Sequence, residues 1–314
     1  MKKKVVVLGG GTGLSNLLRG LKEFPVDITA IVSTCDDGKS TGRLREEFDQ
    51  PAVGDLRRVI IALSETESLF QNLFNYRFKT TSDLNGHTVG NLFLTAMMDM
   101  TGDMATGIKS LEKVLNLKGH VVPFSEDNIV LMAKMTDGTI VEGEHNITEA
   151  KKVIEKLYYK EEPHVCKEAI KAIKEADLII LSIGSVYTSI IPNLISTEIR
   201  DALDKSKAKI MYCCNIVTQP GETDDLSASE HVKLLNKYLG EKKIGVGVFN
   251  NRALDPKLAK KYETEEQKDP VIFDKENLTD IDIIEDDLVT LKDGTFKHEP
   301  IKLAMNIFEY LLRK

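Results

Sequence analysis

The residues best suited to chemistry sit in a few turns rich in glycine, carboxylates and hydroxyls. The first is Gly9-Gly10-Gly11-Thr12-Gly13-Leu14-Ser15. Glycines let the backbone approach a phosphate closely. A turn that opens a helix also offers unpaired N–H groups and the positive end of the helix dipole to an anion. Gly9 and Gly11 fit the dinucleotide fingerprint G-x-G-x-x-G, but Leu14 stands at the third glycine, and no G-K-[ST] follows as in a P-loop. The turn therefore reads as an anion cradle of neither type, with Gly10, Gly11, Thr12 and Gly13 as its residues.

The second stretch is Ser33-Thr34-Cys35-Asp36-Asp37-Gly38-Lys39-Ser40-Thr41-Gly42-Arg43. An acidic residue at this distance past a glycine turn commonly meets a ribose. Asp36 and Asp37 admit two readings: a pair that holds Mg²⁺, or acceptors for ligand hydroxyls. Lys39, Arg43 and Arg45 are candidate phosphate clamps. In Gly54-Asp55-Leu56-Arg57-Arg58, Asp55 suits a helix cap. Arg57 and Arg58 leave a helix on different sides, so at most one of them should reach a ligand.

Gly86-His87-Thr88-Val89-Gly90-Asn91 precedes an apolar run and predicts another anion-friendly helix start, with Asn91 in it. His87 is a candidate acid or base, although a histidine at such a place more often serves as a structural hydrogen-bonder. Two polar loops complete the set, 184–193 and 215–223, and they contribute Gly184, Ser185, Tyr187, Asn215 and Thr218. Ser185 has no nucleophile-elbow context, and no His/Asp pair is spaced to suggest a triad. No catalytic residue can be assigned.

These turns need strands to hold them. Val5 to Leu8 is a short branched run of the kind buried in a parallel sheet, and Leu14, Leu17, Leu18 and Leu21 share one helical face. Ile28 to Val32 reads as the second strand of a βαβ unit. Helical patterns follow at Leu56-Val59-Ile60-Leu63, at Leu92–Met100 and at Ile108-Leu111-Leu115. The stretch from about 119 to 163 has a different texture, with a hairpin signal at Thr136-Asp137-Gly138-Thr139. The α/β pattern resumes with strands at 178–181, 210–214 and 244–249, a charged solvated segment at 255–269 and a last helix at about 301–312. The expected fold is α/β: one three-layer, Rossmann-like parallel sheet over residues 1–314, with a small inserted β-rich subdomain at about 119–163. In such sheets ligands bind outside the carboxyl ends of the strands, where these turns converge.

The chain has 42 basic and 49 acidic residues in 314, a formal net charge of −7, which argues against a general nucleic-acid binder. Its four cysteines show no C-x-x-C spacing, so no metal site is expected from them, and they suit a reducing compartment. The apolar run at 5–8 is too short for a signal sequence, and no stretch reaches a membrane span. The expected location is cytoplasmic.

Taken together, these motifs resemble the bacterial gluconeogenesis factor family. The resemblance rests on the glycine turn, Asp36-Asp37-Gly38, Gly42-Arg43-Leu44-Arg45, Gly54-Asp55-Leu56-Arg57, Gly86-His87 with Gly90-Asn91-Leu92, and above all the two long loops 184–194 and 215–223. It implies a fold similar to the 2-phospho-lactate transferases. It also implies a UDP-sugar ligand such as UDP-N-acetylglucosamine, and a role in cell shape and wall synthesis during growth on gluconeogenic carbon sources. Partners on this reading are a UDP-sugar or other nucleotide, with cell-wall or signalling proteins and a homo-oligomer left open. No cofactor is established, and Mg²⁺ is the one the aspartate pair admits. The runner-up is an Mg²⁺-dependent phosphoryl-group transferase, with the glycine turn on the nucleotide, Asp36 or Asp37 on the metal and Arg43 on the transferred charge. An NAD-dependent oxidoreductase is the third reading, and Leu14 counts against it.

Overall fold

A strand that is apolar at every position needs cover on both faces, and Val5-Val6-Val7-Leu8 receives it. The computed structural model describes residues 2–292 and 294–313. In it β1 (Lys3–Gly9), α1 (Gly11–Leu21) and β2 (Val26–Val32) close the βαβ unit in parallel register, with Val5 opposite Ile28 and Leu8 opposite Ile31. Five helices follow: α2 (Lys39–Phe48), α3 (Gly54–Leu63), α4 (Ser68–Asn75), α5 (Val89–Thr101) and α6 (Met104–Val114). They lead to β3 (His120–Pro123), which pairs parallel with β2.

Next come β4 (Leu131–Met135), β5 (Ile140–Glu142), α7 (Glu144–Ala150) and β6 (Ile154–Tyr159). Their three strands form a separate antiparallel sheet in the order β5-β4-β6. Asp137-Gly138 turns the chain between β4 and β5, with Gly138 at φ +86°, a conformation glycine adopts without strain. Of the segment 119–163, His120–Pro123 lies in the main sheet, and the antiparallel strands begin only at Leu131. A short apolar pair such as Val121-Val122 reads the same at either place. Strand partners, which sequence does not display, decide between them.

The remainder is α8 (Lys167–Glu175), β7 (Leu178–Leu181), α9 (Thr197–Lys205), β8 (Lys209–Cys213), α10 (Ala228–Tyr238), β9 (Ile244–Asn250), α11 (Pro256–Glu266), β10 (Asp282–Asp286), the hairpin β11 (Val289–Lys292) and β12 (Thr295–His298), and α12 (Pro300–Leu312). The large sheet has the order β10-β9-β8-β7-β1-β2-β3, with every neighbouring pair parallel. The chain builds outward from β1 to β3 on one side and from β7 to β10 on the other. The reversal between β1 and β7 opens a crevice at their carboxyl ends.

Side-chain alternation sorts the core into two layers. Val5 and Val7 pack with the buried leucines of α1, with α3 and with Leu303, Ala304 and Ile307 of α12. Val6 and Leu8 point the other way, toward Ala169 and Ile173 of α8, Ile199 and Leu203 of α9, and Leu235 of α10. Helices therefore cover both faces, which gives the three-layer Rossmann-like architecture. Among the described residues no helix is long and apolar enough to cross a membrane.

Candidate functional site

The glycine turn lies in the β1/β7 crevice, and each glycine is there for a different reason. Gly11 has φ +67°, a left-handed conformation costly to a residue with a side chain. Gly10 has no room for one, because a Cβ would stand 2.5 Å from the Asp55 carboxylate. A Cβ on Gly13 would stand 2.2 Å from the Ile183 carbonyl oxygen. The absence of side chains thus seats the start of α1 flush against the loop after β7.

Asp55 is buried and does cap a helix, but not its own. Its Oδ2 accepts the Gly11 N–H at 2.6 Å, at the start of α1, while Oδ1 accepts from Arg58 at 2.6 Å. The first N–H of the expected anion cradle is therefore taken by the protein. Thr12 and Gly13 follow in the same first turn, where no intrahelical carbonyl can reach their N–H groups.

These two residues form one wall of a cleft of about 290 Å³. Gly184, Ser185, Asn215 and Thr218 line it as well. Its rim carries Arg19, Lys268, Lys292 and Lys297, and among its described lining residues there is no carboxylate. Lys268 is engaged with Glu266 at 2.7 Å. In a chain with a net charge of −7, such a rim is a local reversal of sign. The hairpin β11–β12 supplies Lys292, Phe296, Lys297 and His298 to the cleft. It is held there by Asn16, whose side chain donates to the His298 carbonyl at 2.9 Å. His298 in turn reaches the Cys214 carbonyl through Nε2 at 2.9 Å. Burial lowers its pKa to about 4, so the ring is neutral and Nε2–H is the donor.

The two long loops are braced from beneath. Glu222 is buried and accepts from the Ser185 hydroxyl, from the Tyr187 N–H at 3.1 Å and from Gln219 Nε2 at 2.8 Å. Burial pushes its carboxyl up to about 7 against the pull of these donors. Ser185 Oγ also accepts from the Thr188 N–H at 3.0 Å and the Thr188 hydroxyl at 2.8 Å, so its hydrogen-bonding capacity is spent within the protein. Tyr187 is buried, and its hydroxyl meets the Ile154 carbonyl at 3.4 Å rather than the cleft. Asn215 donates to the Gly184 carbonyl at 3.1 Å, and its Oδ1 has no partner among the described residues. Thr218 exchanges two hydrogen bonds with the backbone of Asp269, at 2.7 and 2.8 Å.

On the other side of the glycine turn the sign changes again. Asp36 accepts from the Gly38 N–H at 3.0 Å and the Thr41 hydroxyl at 3.1 Å. Asp37 accepts from the His145 N–H at 2.8 Å. Glu144, at the start of α7, joins them from the inserted subdomain. Burial first, then the charges of Asp36 and Asp55, raise the Glu144 carboxyl to about 8, and a Thr188 hydroxyl pulls the other way. Burial and Asp36 likewise raise Asp55 to about 6. Among the described residues no three His, Cys, Asp or Glu side chains are arranged to hold a metal ion.

Three residues singled out by sequence serve neighbouring structure. Arg43 donates to the carbonyls of Asp83, at 3.2 Å, and Asn85. Asn91 is buried, accepting from Arg57 at 2.9 Å and donating to Ser40 at 3.1 Å. His87 bonds the same Ser40 hydroxyl at 3.0 Å. Sequence reading did not find Arg19, Glu144, the bracing role of Glu222 or the hairpin lysines. The hairpin did carry a signal, the dipeptide Asp293-Gly294 between Leu291-Lys292 and Thr295-Phe296, of the kind that marks a two-residue turn.

A family model described as 2-phospho-L-lactate transferase CofD matches residues 5–289. The chain is 44% identical to the gluconeogenesis factor of Bacillus subtilis (strain 168), covering 99% of this chain and 98% of that protein. It is 42% identical to a putative gluconeogenesis factor of Aquifex aeolicus, again over 99% and 98% of the two chains. A crystal structure of a protein from Bacillus halodurans superposes with a TM-score of 0.94 at 42% identity, covering 99% of this chain and all of that one.

Proposed function

The chain belongs to the 2-phospho-L-lactate transferase CofD family and stands with its gluconeogenesis factors, and on that premise we propose that it is a UDP-sugar-binding regulatory protein. The observation that carries this reading is the cleft between α1 and the hairpin, cationic and with no carboxylate among its described lining residues, beside the Thr12 and Gly13 N–H groups of the first turn of α1. A diphosphate has the charge and size for that rim, and the Thr12 and Gly13 N–H groups are its natural donors. The sugar then extends past the glycine turn toward Asp37, whose carboxylate accepts from its hydroxyls. Asn215, in the wall of the cleft, is the side chain assigned to the base. The physiological role that goes with this ligand is control of cell shape in the cytoplasm during growth on gluconeogenic carbon sources.

The test is calorimetric titration of UDP-N-acetylglucosamine against wild type and Lys297→Glu, in EDTA and in excess Mg²⁺. Reversing one cation at a phosphate contact should weaken binding on the order of tenfold or more. No binding by wild type, or equal binding by the variant, overturns the proposal.

A transferase is the second reading, favoured by the family match itself. Mg²⁺ prefers near-octahedral oxygen ligands. Asp36 is committed to the Gly38 N–H and the Thr41 hydroxyl, Asp37 Oδ1 to the His145 N–H, and among the described residues no third carboxylate, histidine or cysteine is arranged with them to hold an ion. The residues present do not fit that ion, and no step is derived through it. Mg²⁺-dependent release of UMP or UDP in the same titration would promote this reading over binding alone.

A further inference from the structure

An isolated helix of eight residues is marginal in water, and α4 has little to hold it. Of its residues only Phe74 is buried. Phe70 is half-buried, stacked on Phe74 with ring centroids 5.7 Å apart, while the two leucines turn outward. Leu69 and Leu73 recur at i and i+4, and Tyr76 continues the stripe just past the helix end; they are 76%, 52% and 54% exposed. Phe93 of α5 adjoins the stripe through an edge-on contact with Phe74, ring centroids 5.8 Å apart. Apolar side chains scattered singly on a surface are ordinary. A stripe at helical spacing on a poorly anchored helix has the form of one half of a helix pair.

The flanking charges select the occupant. Glu67 immediately precedes α4, and Arg77 and Lys79 follow it. Glu65 is engaged with Lys118 at 2.9 Å, but Glu67, Arg77 and Lys79 have no ion-pair partner among the described residues. Arg77 donates to the Gly86 carbonyl, which leaves its charge unbalanced. A negative flank before the helix and a positive flank after it are self-complementary when two copies pack antiparallel, and they repel when the copies pack parallel. About a two-fold axis, Glu67 of each copy meets Arg77 and Lys79 of the other, and the leucines meet across the seam. Arg43, bound to the carbonyls of Asp83 and Asn85, steadies the segment that presents the positive flank.

We propose that α4 is a self-association face through which two copies of this chain form an isologous dimer. The face is separate from the cationic cleft and does not depend on the ligand proposed for it.

The experiment is sedimentation velocity of the full chain over a concentration series, with circular dichroism confirming that each variant is folded. Wild type should shift with concentration from its 35.0 kDa mass toward twice that value. Leu69→Glu with Leu73→Glu should raise the dimer Kd on the order of a hundredfold. Glu67→Lys alone, and Arg77→Glu with Lys79→Glu alone, should each weaken it on the order of tenfold. A one-to-one mixture of those two charge variants should associate again, because the reversed charges then face each other. A wild type that stays monomeric at every concentration overturns the proposal. So does a dimer indifferent to the leucine pair, or a mixture that associates no better than either variant alone.

Discussion

Glu144→Gln should make the protein more stable at pH 8. The Glu144 carboxyl is raised from an ordinary 4.5 to about 8, by burial and by the charges of Asp36 and Asp55. The folded chain therefore holds a proton there that the unfolded chain has released. Stability from this group is complete below about pH 4.5 and is lost as pH rises toward 8. Each tenfold change in proton affinity is worth about 1.4 kcal/mol, so the full span corresponds to about 5 kcal/mol at most. Burial is the largest cause, and it acts on the carboxylate that the substitution removes, so the variant should recover most of this pH-dependent loss, about 4 kcal/mol at most by pH 8. His231 and His298, both depressed to about 4 by burial, act in the opposite sense, losing stability as pH falls from 6.5 toward 4. They do so equally in wild type and variant and cancel in the difference. Urea denaturation at intervals from pH 4.5 to 8.5 should show the two proteins alike at the acid end and diverging in the variant's favour above it. Parallel curves, or a variant less stable at pH 8, would refute the claim that burial and the neighbouring aspartates hold a proton on Glu144.

Gly13→Ala should cost about 2–4 kcal/mol, because the new Cβ meets the Ile183 backbone at 2.2 Å and α1 must retreat; a melting temperature within a degree or so of wild type would contradict this close seating. Arg45→Ala should cost about 3 kcal/mol in urea denaturation. The buried guanidinium donates to Asn128 at 3.0 Å, to the carbonyls of Cys35 and Asp36 at 3.2 and 3.1 Å, and to that of Ile129, so its loss strands three carbonyls. Arg45→Lys should recover only part of that loss, since one ammonium cannot reach all four acceptors.

The parallel sheet was legible because its signals are local. Branched runs at 5–8 and 178–181, each ending in small or polar residues, state both a strand and where its carboxyl end lies. The glycine turn was legible for the same reason. The site's partners were not, because they are defined by contacts across long stretches of chain. Asp55 announces a cap, but nothing near it says that the capped N–H belongs to Gly11, 44 residues earlier. Arg45 looks like a phosphate clamp until Asn128, 83 residues on, takes its guanidinium. Glu144 reads as one more surface acid in a charged stretch, and only the packing of α7 beside Asp36 and Asp55 gives it a role. The family resemblance reached further than the motifs taken one by one, since it drew on the two long loops whose polar residues brace one another through Glu222.

The Asn16 bond to His298 joins positions 282 residues apart, and Arg19 and Lys297 meet the same cleft from those two regions. During synthesis the first of these stretches leaves the ribosome long before the second. For all that interval the glycine turn exists without its opposite wall. A nascent chain, or one cut by a protease ahead of the hairpin, can fold much of its sheet and still have no cationic cleft to offer. On the proposed function, ligand capture would be reserved for chains made through residue 298 and kept intact to it.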